Sequence, residues 1–240
     1  MTEKNISSLI RRILFAFAAV IAVSAGFWMS FELQQSIDND YETVNEKGLA
    51  KARKLFLPIQ GTILNPTRKI AAPALLKDNG ETLTNEDLSG QWHLLFFGYT
   101  NCPDICPTTM GVLAQAKKIA TEHNHMFPGV VFVSVDPARD KVESLGEYVR
   151  YFDKDFIGVT GDEDLIKALA LQMSVVYMKM SAEDDSKAAA NESGYLVDHS
   201  SALLLLNPEG RLVAFFNPPH DPEIILKDFR TVVNQSNFTH

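Results

Sequence analysis

Only two cysteines occur in the 240 residues, Cys102 and Cys106, and both lie in the stretch from Leu94 to Met110, LLFFGYTNCPDICPTTM. A continuous apolar run precedes them and a helix-like segment begins at Pro107 or Thr108. A strand therefore delivers a dithiol to the start of a helix, where unpaired amides and the positive end of the helix dipole stabilise thiolate. Thiolate is the nucleophile of disulfide exchange, and it is also a soft metal ligand. A third reading, a structural disulfide, gains little here, because closing so short a loop removes little chain entropy.

Spacing separates these readings. Cys-x-x-Cys is the redox dithiol signature of thioredoxin-like folds. Here three residues, Pro103, Asp104 and Ile105, stand between the thiols. The wider loop lets both sulfurs reach one ion from one side. Two thiolates alone suit Cu(I), and an added imidazole also accommodates Cu(II). Such a three-ligand set falls short of the closed tetrahedron of structural zinc. His199, in Val197-Asp198-His199-Ser200-Ser201 just before the run Leu203 to Leu206, is the best-placed imidazole. In a thioredoxin-like sheet the loop entering that strand lies beside the dithiol, although a lone histidine near a strand is more often ordinary structure.

The dithiol also supports an enzymatic alternative, a thiol-disulfide oxidoreductase that reduces cysteines in a target. Enzymes of that kind place a proline next to the dithiol, just before the hairpin strand. The matching segment here reads Leu196-Val197-Asp198-His199. Other residues carry weaker readings. Asp136 follows an apolar run and reads as a turn or capping residue. Arg139 and Asp140 read as a surface pair. His123 and His125 form a His-x-His whose simplest role is a cation at a helix C-terminus. Met110, one turn beyond Cys106, is a soft atom at core spacing.

These residues need a scaffold, and the chain alternates strand and helix from Trp92 onward, which argues for an α/β layout with a mainly parallel sheet. Strands are expected over Trp92 to Phe97, Val130 to Val135, Phe156 to Val159 and Val175 to Met180. Helices are expected from Pro107 or Thr108 to Glu122, over Lys141 to Phe152, and over Asp162 to Met173. The run Tyr195 to Leu206, the turn Asn207-Pro208-Glu209-Gly210 and the run Arg211 to Phe216 make a β-hairpin, and Asp221 to Val233 a closing helix. Ahead of these, Asn79-Gly80 marks a small hairpin between Ala74 to Leu76 and Glu81 to Leu83. Ser181 to Ser193 is acidic, lacks apolar periodicity and reads as a surface insertion. A strand, a dithiol at a helix start, a βα continuation, a terminal hairpin and a closing helix together describe a thioredoxin-like fold.

The N-terminus differs. Ile13 to Phe31 holds no ionisable residue, Lys4, Arg11 and Arg12 precede it and Glu32 follows. Such a run is long enough to span a bilayer as a helix, and the preceding cations favour a cytoplasmic N-terminus. A cleaved signal peptide ending near Val23-Ser24-Ala25 competes with this, but the apolar run continues through Phe31. The expected organisation is therefore a cytoplasmic tip and transmembrane anchor over 1–31, a stalk over 32–58, and the thioredoxin-like domain over 59–240. That arrangement places a single-pass protein in the inner (cytoplasmic) membrane, with its C-terminal domain in the periplasm. The formal charge of −8 leaves no basic footprint for nucleic acid.

Four separated segments, Phe97-Gly-Tyr-Thr-Asn-Cys-Pro-Asp-Ile-Cys-Pro107, Ser134-Val-Asp-Pro-Ala-Arg-Asp140, Val197-Asp-His-Ser-Ser201 and Asn207-Pro-Glu-Gly210, resemble those of the Sco (SCO/SenC) family of membrane-anchored copper proteins, in the same order. The resemblance covers about Leu83 to Phe229. It implies a thioredoxin-like fold and copper, Cu(I), Cu(II) or both, held by Cys102, Cys106 and His199. It also implies a role in assembling the copper A centre of cytochrome c oxidase, with the oxidase subunit that carries this centre as partner and a periplasmic copper donor upstream. For Asp136 it adds a role in supporting the site or contacting that donor. One departure stands out: the family's first hairpin often opens with Gly-Gly and a Phe, where this chain reads Ile70-Ala-Ala-Pro-Ala-Leu-Leu76.

Overall fold

The computed structural model describes Trp28, residues 59–181 and residues 195–236. The expected anchor, the stalk and, apart from Ser181, the acidic insertion fall outside the described residues, Trp28 excepted. Among the described residues no helix is long and apolar enough to cross a membrane.

The centre of the domain is β3 (His93–Gly98), whose six residues are all buried. Its sequence HLLFFG has no polar alternation because both faces are covered, as in a parallel sheet sandwiched between other layers. It pairs in parallel with β4 (Gly129–Ser134), and β4 pairs in parallel with β5 (Ile157–Thr160). On its other side β3 pairs antiparallel with β8 (Leu203–Leu206), which pairs antiparallel with β9 (Arg211–Phe216). β1 (Gly61–Lys69) and β2 (Leu76–Lys77) complete a seven-stranded sheet of order β1-β9-β8-β3-β4-β5-β2. The helices are α1 (Ile105–Glu122), α2 (Val142–Phe152), α3 (Glu163–Gln172) and α4 (Pro222–Ser236). α1 packs on α4 and on α2, and α2 on β5. From β3 onward the strand and helix order is the one expected of a thioredoxin-like domain.

Local chemistry explains several boundaries. Asp162 caps α3, its carboxylate accepting from the amides of Asp164 at 2.9 Å and Leu165 at 3.4 Å. The Asn79-Gly80 turn forms with Gly80 at φ +84°, a conformation that favours glycine. The hairpin around it is shorter than expected: Lys77 N donates to Glu81 O, Leu83 N donates to Leu75 O, and β2 spends its other edge on β5.

Three expectations are corrected. First, α1 begins at Ile105, so Cys106 lies within its first turn rather than before it. Pro107 is tolerated there because first-turn amides lack intrahelical partners. Second, β1 is a nine-residue strand running through Asn65-Pro66, where no strand is expected from the sequence. It is an edge strand with no buried residue and a register shift between Ile63 and Arg68, which is where a sheet accommodates proline. Third, Tyr195 to Leu206 is not one strand. It breaks after β7 (Tyr195–His199), and β7 leaves the main sheet to pair antiparallel with β6 (Tyr177–Ser181), Tyr177 opposite His199. The four leucines of β8 are fully buried between β3 and β9, whereas β7 is half-exposed and Ser200-Ser201 offer polar groups at the break.

The core is sealed partly by aromatic edge contacts. Phe229 of α4 meets Trp92 with ring centroids 5.8 Å apart and planes at 82°. Truncating Phe229→Ala should destabilise the domain by about 3–5 kcal/mol, the usual cost of a large buried aromatic. Urea denaturation followed by circular dichroism measures this, and a change within error of zero would contradict the packing described.

Candidate metal centre

Three backbone features bring the expected donors together. β3 ends at Gly98, the chain turns with Cys102 N donating to Tyr99 O at 3.2 Å, and α1 starts at Ile105 with Cys106 as its second residue. Close approach of strand and helix requires Gly98 to lack a side chain, since a Cβ there would lie 2.8 Å from Cys106 Sγ and 2.9 Å from the Phe132 ring. His199, the last residue of β7, arrives from the other side and places Nε2 3.3 Å from Cys106 Sγ. The donor atoms of Cys102, Cys106 and His199 all lie within 4.8 Å of one another, and among the described residues no other group of three His, Cys, Asp or Glu side chains does so. Both cysteines are free and buried, and His199 is half-buried.

The electrostatics of the two thiols diverge. Cys102 is pulled down to about 4, first by a hydrogen bond from the Cys106 thiol, with the amides of Asp104 and Cys106 adding to this against the opposing effect of burial. Cys106, fully buried and facing that thiolate, is pushed up and keeps its proton. His199 Nδ1 lies 3.1 Å from Ser200 O, and a carbonyl only accepts, so that nitrogen carries a proton and Nε2 is turned to the sulfurs. One thiol proton thus stands among three soft or borderline donor atoms. A soft cation taking the place of that proton would face two thiolates and an imidazole whose other nitrogen is already anchored to a backbone carbonyl, an arrangement common among metal-bound histidines. The residues present therefore fit a thiophilic metal ion.

Two carboxylates that looked superficial in sequence are buried around this group. Asp140 is 1% exposed, accepts from Ser134 Oγ at 2.6 Å, from Thr100 N at 3.0 Å and from Thr100 Oγ1 at 2.5 Å, and so ties the turn before Cys102 to the end of β4. The expected surface pair of Arg139 with Asp140 does not form, because Asp140 faces inward to these donors. Arg139 instead pairs with the buried carboxylate of Asp136. Its guanidinium lies 3.8 Å from the Tyr195 ring centroid and 5.5 Å from that of Tyr99, and its Nη1 donates to Tyr195 O at 3.2 Å. The Tyr195 hydroxyl donates to Asp136 at 2.7 Å, and the Tyr99 ring stands edge-on to His199 at 5.8 Å. Asp136 thus lies outside the donor group and reaches it through Arg139 and the two tyrosines, while its carbonyl accepts from Arg139 N and Asp140 N in the turn expected of it.

The remaining sequence candidates lie apart. His123 is the C-cap residue of α1, and His125 Nε2 is 3.2 Å from Arg230 Nη1. Met110 is fully buried in the core. Sequence reasoning missed Gly98, Thr100 and Tyr195. Only Gly98 left a signal, as a glycine closing an apolar strand.

Comparison with known proteins places this site in a family. The SCO1/SenC family model matches residues 65–234. The chain belongs to the SCO1/SenC family. Protein SCO1 homolog 1, mitochondrial, of Arabidopsis thaliana is 36% identical over 199 residues, covering 81% of this chain; the chain spans 57% of that relative's length. A SCO2-like protein of Rickettsia felis is 34% identical over 154 residues, 64% of this chain and 71% of the relative. Among solved structures, Arabidopsis thaliana ScoI with copper bound is 37% identical and covers 67% of this chain and 95% of its own, with a TM-score of 0.61. Yeast Sco1 with copper bound is 27% identical and covers 69% and 89%, with a TM-score of 0.60. The mixed α/β fold is thus shared with Sco proteins.

The thiol asymmetry has a direct readout. In the metal-free, reduced protein, Cys102 should react with iodoacetamide and Cys106 should not. The reactive form is the deprotonated one, so the rate should hold from neutral pH down to about pH 5 and fall as pH drops through about 4. Cys106→Ala removes the largest cause of that shift and should move the midpoint up toward the ordinary thiol value of about 8.5. Mass spectrometry of the alkylated peptides distinguishes the two sites, and equal labelling of both would contradict the assignment.

Proposed function

We propose that this chain is a membrane-tethered copper-binding member of the SCO1/SenC family, which receives copper outside the cytoplasm and helps assemble the copper A centre of cytochrome c oxidase. The observation that carries the reading is the convergence of Cys102, Cys106 and His199 within 4.8 Å. Support also comes from the copper-bound relatives from Arabidopsis and yeast. Copper is cargo here. Cys102 and Cys106 hold it as thiolates, and His199 Nε2 completes the set. Two thiolates carry two negative charges, so Cu(II) leaves the site neutral and Cu(I) leaves it singly negative; both states suit a sulfur-rich pocket. The apolar run Ile13 to Phe31 and its flanking cations support the tether and the periplasmic placement of the domain.

Loading is a competition with protons. At neutral pH Cys102 is already a thiolate, so binding expels the Cys106 proton. Affinity should fall at least about tenfold per unit of acidification, and more steeply below about pH 4, where Cys102 protonates too. Copper titrations between pH 5 and 8 check this, and an affinity independent of pH would contradict thiol ligation. In the same protein, copper content should be one per chain. His199→Ala should retain Cu(I) on the thiol pair and lose the wild-type Cu(II) spectrum; an unchanged stoichiometry and Cu(II) spectrum in that variant would overturn the three-ligand site.

The same thiols favour a companion activity, reduction of a target disulfide. Cys102 thiolate attacks one sulfur of the target, forming a mixed disulfide and releasing the other sulfur as thiolate. Cys106, on losing its proton, attacks Cys102 and frees the second target thiol. Two electrons pass to the target and Cys102–Cys106 is left oxidised, to be re-reduced by an external dithiol. Reduction of a model disulfide that persists at full rate in His199→Ala would assign this chemistry to the thiols alone.

A further inference from the structure

His199 stands on a strand of five residues whose two ends are held by different parts of the domain. At the start, Tyr195 is gripped by Arg139 and Asp136. At the far end, three residues join β7 to β8, and their polar groups are anchored one by one. Ser200 N donates to Val176 O at 3.2 Å, Ala202 N faces Ser200 Oγ at 3.4 Å, and Ser201 O accepts from His220 Nε2 at 2.8 Å. The first two anchors are local, or belong to the chain leading into β6. The third comes from the other side of the hairpin, from the segment between β9 and α4.

That segment, Asn217-Pro218-Pro219-His220-Asp221, is well fixed. Asn217 N donates to Gln60 O at 3.1 Å and Gln60 Nε2 donates to Pro219 O at 2.8 Å. Asp221 accepts from Glu223 N at 2.9 Å and Ile224 N at 3.1 Å, securing the first turn of α4. Gln60 is itself held by the buried Asp228, which accepts from its amide at 2.6 Å. His220 is half-buried and presents Nε2 to a carbonyl, which only accepts, so Nε2 carries a proton. His220 is thus a donor on a rigid segment, aimed at the backbone that immediately follows His199. The neighbouring carbonyl, Ser200 O, is the one that receives His199 Nδ1–H at 3.1 Å.

We propose that His220 is a positioning residue for the metal centre: by holding the Ser201 carbonyl it fixes the Ser200–Ser201 backbone, and with it the acceptor that aims the His199 ring at Cys106. The inference rests on the copper-site reading above. The effect falls on the imidazole donor and not on the thiols. Loss of the hydrogen bond should therefore weaken Cu(II), which uses the imidazole, far more than Cu(I) on the thiolate pair.

The test compares the wild type with His220→Phe, His220→Gln and His199→Ala. Gln presents an amide donor where the ring Nε2 stood, whereas Phe fills the space without a donor. His220→Phe should bind one Cu(I) per chain with near wild-type affinity, lose about 10- to 100-fold in Cu(II) affinity, and give a broadened Cu(II) EPR signal; His220→Gln should recover wild-type behaviour within a few-fold. A wild-type Cu(II) spectrum and affinity in His220→Phe, or a His220→Gln no better than His220→Phe, would overturn the proposal. If His199→Ala kept the wild-type Cu(II) spectrum, the copper-site reading itself would fail, which separates the two. A measurement on the metal-free wild type needs no variant to fold: long-range 1H–15N NMR should show His220 protonated on Nε2, with that proton protected from exchange, and a ring protonated only on Nδ1 would exclude the hydrogen bond.

Discussion

The site depends on one contact, between the Sγ of Cys106 and the Nε2 of His199, 3.3 Å apart in space and 93 residues apart in sequence. Closing a loop of that length carries an entropic cost that the contact itself does not offset; the sheet between them does. β3 and β8 lie side by side, and both are fully buried. Once they pair, the start of α1 and the end of β7 have little freedom left. Folding therefore orders the donor group, and an ion that binds there meets donors already brought together by the sheet.

Keeping that contact open to a metal requires the strand to break. A continuous Tyr195 to Leu206 strand would extend β8, and its alternation would turn successive side chains to opposite faces of the main sheet. The break at Ser200 to Ala202 lets β7 swing onto β6 and deliver His199 toward the dithiol. Buried and half-buried polar groups hold the deviation in place: Asp140 on the dithiol side through Thr100, Asp136 and Arg139 at the start of β7, His220 at its end. Buried carboxylates satisfied by fixed donors define geometry in a way that apolar packing does not.

Much of this was legible in the sequence. The runs of β3, β4 and β8 are apolar without interruption, and the helices between them carry clear periodicity, so the α/β order could be read directly. Cys102, Cys106 and His199 were found because their residue types are chemically distinctive and their place in the element order was known. β1 was hidden because an edge strand buries too little to show alternation and because it contains Pro66. The break after His199 was hidden because Tyr195 to Leu206 is β-prone throughout, and propensity does not say which sheet a strand joins. The Arg139 and Asp140 pairing misled because adjacent opposite charges look like surface neighbours, whereas the backbone turn sends one toward Asp136 and the other inward. His220 left no signal, since its partner is a backbone carbonyl.

In the proposed site one copper ion takes both thiolates and one imidazole of this chain. Copper K-edge X-ray absorption on the stoichiometrically loaded Cu(II) protein addresses it directly. Two sulfur neighbours and one imidazole nitrogen are expected in the first coordination sphere, with one sulfur lost in Cys102→Ser and in Cys106→Ser and the imidazole scattering lost in His199→Ala. A first sphere of oxygen and nitrogen alone, or one that is the same in all three variants, would contradict it.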